Sequence, residues 1–122
     1  MPFDVSIKKE NDYILVKVAG EYDTKEMRSY DPKMLANACD HFKCNKLLID
    51  IQELTGKVSI LENFDLGKGM ATYLGLQKRV VILGTKEQSK DDFIQTVAVN
   101  RGADVKIFSN KREAIQALSK DS

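Results

Sequence analysis

The sequence has 122 residues, 43% hydrophobic and 30% charged, the balance of one globular domain rather than a disordered chain. Its 19 Lys and Arg against 18 Asp and Glu leave a net charge of +1, which argues against a nucleic-acid binder working by bulk charge. A chain this long buries roughly two-thirds of its unfolded surface and needs no disulfide or metal to fold.

The opening Met1-Pro2-Phe3-Asp4-Val5 has neither the basic nor the apolar run of a secretory signal. Apolar runs are as short as Val80-Val81-Ile82-Leu83, against the ~20 residues of a membrane-spanning helix. Cys39 and Cys44 are the only cysteines, which fits a reducing compartment. The expectation is a cytoplasmic protein with no membrane insertion and one domain over residues 1–122, its polar tail starting at about 119.

In chain order, the runs from Phe3 to Lys9 and from Tyr13 to Ala19 flank the turn residues Glu10-Asn11-Asp12 and predict a β-hairpin. Ile14, Val16 and Val18 share one face of its second strand, and Tyr13, Leu15 and Lys17 the other. Further strands are predicted from Lys46 to Ile51, Arg79 to Gly84 and Asp104 to Phe108. Leu47-Leu48-Ile49 and Val80–Leu83 are apolar on consecutive residues, as in strands covered on both faces of a parallel sheet.

Helices are marked by their caps. A small polar residue followed three positions later by Glu or Gln occurs as Asp23/Glu26, Ser59/Glu62, Thr85/Gln88 and Asn110/Glu113, each shortly after a predicted strand. Asn45, Gly75 and Gly102 follow the first three helical regions. Asp31-Pro32 interrupts the first, predicting a short turn from about Thr24 and then a helix from Pro32 to Phe42 with Leu35, Ala38, Cys39 and Phe42 buried. Ile94, Val97 and Ala98, then Ala114, Ile115 and Leu118, form the buried stripes of the later helices. The predicted order is ββαβαβαβα: a single α/β domain with a mostly parallel five-stranded sheet and an antiparallel first edge strand.

Val18-Ala19-Gly20, Lys46–Ile51 followed by Glu53-Leu54-Thr55, Val80–Gly84, Gly102–Phe108 and the terminal Glu113–Leu118 together resemble the STAS domain of bacterial anti-sigma-factor antagonists, in its SpoIIAA-like branch. The resemblance covers nearly the whole chain and implies a SpoIIAA-like (STAS) fold and a non-enzymatic regulatory or protein-interaction domain of bacterial signalling. In the antagonists a kinase phosphorylates a serine at the start of the second helix, and the matching position here is Ser59. The aspartate usual before that serine is Val58 here, and Ile60-Leu61-Glu62 replace the small residues that usually follow.

Ser59 is therefore a candidate phosphoacceptor, with Lys57 near enough to help hold a phosphate at a helix N-terminus, or else a helix cap paired with Glu62. Cys39, Asp40, His41 and Cys44 lack metal-site geometry. Cys39 and Cys44 are five residues apart, about 140° around a helix, and no second cluster completes four ligands. No metal or cofactor is expected, and His41 is badly placed to activate Cys39 as a nucleophile. Gly67-Lys68-Gly69 and Gly75 follow no phosphate-loop pattern; within a helix they mark close packing, a kink or a mobile segment. Asp91-Asp92 reads as a solvated turn, and Lys78-Arg79 and Lys111-Arg112 as solubilising pairs.

In α/β sheets ligands bind outside the carboxyl ends of the strands. The loops there carry Tyr22, Asp23, Thr24, Thr55, Gly56, Lys57, Ser59, Thr85 and Asn110, hydroxyls and helix starts suited to recognition more than to bond breaking. Leu66, Met70 and Tyr73 are a candidate surface for a partner or an apolar ligand groove, or core. The expected partner is a protein or a second copy of the chain; the alternative is a small apolar ligand in a groove near the second helix, making the domain a carrier or sensor.

Overall fold

A computed structural model describes residues 3–23, 32–56 and 60–119, with the backbone alone for 60–64. Along them run β1 (Asp4–Lys9), β2 (Ile14–Glu21), α1 (Pro32–Phe42), β3 (Lys46–Thr55), α2 (Ile60–Tyr73), β4 (Arg79–Leu83), α3 (Lys86–Ser89), α4 (Phe93–Asn100), β5 (Asp104–Phe108) and α5 (Lys111–Ser119). The five strands lie side by side in chain order. β1 pairs antiparallel with β2, and every later pair is parallel.

This order fixes where the helices go. Each step from β2 to β5 moves across the sheet in one direction, so right-handed crossovers place their helices on one face. Ile14, Val16, Leu47, Ile49, Val80 and Ile82 of the strands share a core there with Leu35 and Cys39 of α1, Met70 and Leu74 of α2 and Ala98 of α4. α5, which follows the last strand, covers the other face with Ala114 and Leu118 against Leu48, Val81 and Leu83. β2 splits as its alternation predicts, with Leu15 packed on the α5 side beside Tyr13, which immediately precedes the strand. The central strands are buried on consecutive residues because both their faces are covered.

α1 has the predicted span, and in its stripe Leu35 and Cys39 are buried while Ala38 and Phe42 are half-buried. Its end differs from expectation. The left-handed residue is Lys43, at φ 52°, two positions before Asn45. The Cys44 N–H donates to the Cys39 carbonyl at 3.0 Å and closes the helix there. Gly75 (φ 59°) and Gly102 (φ 97°) do end α2 and α4. The turn predicted from Thr24 lies outside the described residues.

Gly67 and Gly69 are sites of close approach. A β-carbon on Gly67 would stand 2.9 Å from Val97 Cβ on α4, and one on Gly69 3.0 Å from Pro32 of α1. The absent side chains let α2 settle between its neighbours.

Arg79 is not a solubilising residue, contrary to expectation. Its Nη1 donates to the carbonyls of Ala117 and Leu118 at 3.3 Å each, and its Nε stands 3.5 Å from Asp104 Oδ2. It satisfies orphan carbonyls at the end of α5 and ties that helix to β4.

Candidate functional site

The carboxyl end of β3 runs further than predicted. Its pairing with β2 slips by one residue: Lys17 faces Asp50, but Ala19 faces Glu53. That is a β-bulge, and it inverts the alternation. Ile51 and Leu54 both pack on the helix-covered face although three positions apart. Glu53 returns to the side of Lys17 and pairs with its ammonium at 2.7 Å, which raises the Lys17 pKa. The Gln52 N–H at the bulge is taken by Asp50 Oδ1 at 3.0 Å.

β4 ends opposite Asp50, so the last residues of β3 have no β4 partner. The side chain of Gln88 stands in for one. Its Nε2 donates to the Ile51 carbonyl at 2.8 Å and to the Leu54 carbonyl at 3.1 Å. Its Oε1 accepts from the Thr85 N–H at 2.7 Å, while the Gln88 N–H donates to Thr85 Oγ1 at 3.1 Å. This is the capping box predicted at Thr85/Gln88, with a tertiary role added. The third helical region is broken after Ser89, and the turn through Lys90, Asp91 and Asp92 leads into α4.

Between this end of the sheet and the helices lies a partly open cavity of about 570 Å³. That is within the ~300–1,000 Å³ of small-molecule sites. Val18, Ile51, Leu54 and Ile82 form its floor, Leu66 and Met70 of α2 a wall, and Tyr22 and Gly56 its edge. The walls are overwhelmingly apolar. Gln95, also in the lining, accepts the Ile107 N–H of the edge strand β5 at 2.8 Å.

The structure brings some predicted site residues together and separates others. Tyr22, Thr55 and Gly56 meet where β2 and β3 end: the Tyr22 N–H donates to the Thr55 carbonyl at 2.9 Å, and Thr55 Oγ1 to the Gly20 carbonyl at 3.3 Å. Asp23 is exposed just beyond. Thr85 is spent on capping α3. Asn110 caps α5 on the opposite face, where its Oδ1 accepts from the Glu113 N–H at 3.1 Å. Leu66 and Met70 line the cavity, whereas Tyr73 does not and is 48% exposed. Thr24, Lys57 and Ser59, and with Ser59 its cap to Glu62, lie outside the described residues.

Sequence reasoning reads Gln88 only as the cap partner of Thr85, with no sign of its bonds to β3, and does not single out Gln95. It also missed Glu87, Asp91 and Asp92 as cavity lining. Cys39 is fully buried, and that burial pushes its thiol up to about 11, which leaves it protonated and unreactive at neutral pH. Among the described residues no group of His, Cys, Asp and Glu has metal-site geometry. No helix among them is long and apolar enough to cross a membrane.

No protein-family model matches this chain, and no curated protein matches it in sequence. Solved structures do match. An anti-sigma factor antagonist from Mycobacterium paratuberculosis superposes with a TM-score of 0.70 at 13% identity, over 98% of this chain and 96% of that one. An uncharacterised DUF3478-family protein from Shewanella loihica with a SpoIIAA-like fold gives 0.56 at 25% identity, over 95% and 93%. The anti-sigma factor antagonist SpoIIAA in its unphosphorylated form gives 0.56 at 10% identity, over 98% and 100%. With a five-stranded sheet in chain order, one antiparallel edge strand and nearly full coverage of these structures, the chain is a domain of the SpoIIAA-like, STAS-type fold.

Proposed function

We propose that this chain is a non-enzymatic regulatory domain that binds a protein partner, or a second copy of itself, on the face where its parallel strands end. The observation that carries this reading is how the polar groups on that face are used. Thr55, Thr85 and Gln88 are committed to backbone groups, and among the described residues the carboxylates stand at an apolar opening rather than against a nucleophile. The likeness to anti-sigma factor antagonists supports it at the level of fold. A phosphate on Ser59 would be the matching control, tested by the mass of the purified chain and its Ser59→Ala variant. The main test is recovery of the tagged chain with its bound proteins from its own cells. Thr55→Arg and Asp92→Arg, both at exposed positions of this face, are expected to lose a stoichiometric partner that Arg112→Glu on α5 keeps. The reverse pattern overturns the reading.

A second reading is favoured by the cavity itself: a carrier or sensor of a small apolar molecule. Its test is solvent extraction of freshly purified protein and mass analysis of the extract. A molecule recovered at about one per chain supports it, and a clean extract from a chain recovered out of its own cells opposes it.

A further inference from the structure

The lining of the cavity points to one class of occupant. Its body is apolar, so the occupant must present hydrocarbon or aromatic surface to Val18, Leu54, Leu66 and Met70. Its charged lining, among the described residues, is Glu87, Asp91 and Asp92, all exposed and all from the segment that follows β4. Lys90, the cation bonded to one of them, reaches Glu87 Oε1 at 3.2 Å in a solvent-exposed pair and does not line the cavity. Asp91 Oδ1 accepts from the Phe93 N–H at 3.2 Å, a contact a carboxylate keeps while still bearing its charge. The two lining amides are also engaged, Gln88 through both ends and Gln95 through its oxygen. Among the described residues the fixed charge of the opening is negative, and an anionic headgroup would leave these carboxylates facing it.

Resting on the carrier or sensor reading, we infer that the cavity takes a cationic amphiphile: an apolar chain or ring system inside, and a protonated amine or quaternary ammonium at Glu87, Asp91 and Asp92. A fatty-acid-like ligand is disfavoured by the same carboxylates, so the cavity selects by headgroup charge as well as by apolar body.

The experiment compares probes that share one chain and differ in head: decyltrimethylammonium, decanol and decanoate. Each is titrated as a monomer into the intact protein at low salt and followed by backbone amide NMR. All three are expected to shift cavity signals such as Leu54 and Met70. The cation should bind about tenfold more tightly than the anion, with the alcohol between. The double variant Asp91→Asn, Asp92→Asn keeps an acceptor for Phe93 and sits on the surface, so it folds, and it should narrow the gap to about twofold. High salt should narrow it as well. If decanoate binds as tightly as the cation, or the gap survives the double variant, the charge inference falls while the cavity reading stands. If no probe shifts the cavity signals, the carrier or sensor reading falls and takes this inference with it.

Discussion

Gln88 offers the sharpest test of how the carboxyl end of the sheet is held together. Its side chain makes three contacts with main-chain groups, at 2.7 Å to the Thr85 N–H and at 2.8 and 3.1 Å to the carbonyls of Ile51 and Leu54. A hydrogen bond of this kind contributes about 0.5–1.5 kcal/mol net. Gln88→Ala removes all three, and water entering from the open cavity recovers part of the loss. The expected cost is about 2–3 kcal/mol. For a chain of 122 residues the unfolding entropy is about 0.26 kcal/mol/K, so Tm should fall by about 8–12 °C. Gln88→Glu discriminates further. It keeps an acceptor for Thr85 but turns a carboxylate toward two carbonyl oxygens, which raises that carboxyl's folded pKa above its unfolded value of about 4.3. A group raised in this way stabilises the fold below its unfolded pKa and loses that stabilisation as pH rises through the folded value. The variant should therefore be at least as destabilised as Gln88→Ala at neutral pH and recover toward about pH 4, where the acid can donate one bond. Urea unfolding followed by circular dichroism at both pH values measures this. A Gln88→Ala cost under about 0.5 kcal/mol, or a Gln88→Glu penalty that ignores pH, would refute the idea that this side chain substitutes for the missing β4 pairing.

Three other outcomes are expected. Gly67→Ala gains up to about 1 kcal/mol of helix propensity but drives a methyl group to 2.9 Å from Val97 Cβ, so overpacking should win by about 1–2 kcal/mol in denaturant unfolding; a stabilised variant would mean that α2 and α4 move apart easily. Lys43→Gly should stabilise by about 0.5–1 kcal/mol in the same assay, because Lys43 holds φ 52°, where a β-carbon is strained; a loss of stability would mean that the lysine side chain contributes more than its backbone costs. The Cys39 thiol is raised by burial from 9.0 to about 11, so unfolded chains ionise first and stability should fall between those values by up to about 2–3 kcal/mol. Cys39→Ala should lack this fall, and an unchanged pH profile would contradict the burial argument.

The parts of this fold that were legible in the sequence are those fixed by local periodicity. Consecutive apolar residues at 47–49 and 80–83 marked doubly covered strands, Pro32 opened α1, and Thr85 with Gln88 formed the cap that their spacing implies. What could not be read depends on contacts distant in the chain. The bulge near Gln52 breaks the alternation of β3, so the strand reads as if it stopped at Ile51, though it continues to Thr55. No glycine or proline marks the break between α3 and α4, and Lys43 carries no signal of a left-handed residue. The paired glycines in α2 take their meaning from Val97 and Pro32 on other helices. The cavity is a space between elements, and its residues share no motif. Of Leu66, Met70 and Tyr73, read together as a partner or groove surface or as core, the first two line the cavity and Tyr73 does not, and Asn110 caps the far helix.

The central claim is that this face works by reversible binding. The most direct test is native mass spectrometry of the chain purified from its own cells, followed by the denatured mass of the same sample. The account predicts added mass in the native spectrum, from a partner chain, a second copy or a small molecule, and the bare chain after denaturation. A bare chain in both spectra, or a non-phosphate covalent increment that survives denaturation, would contradict it.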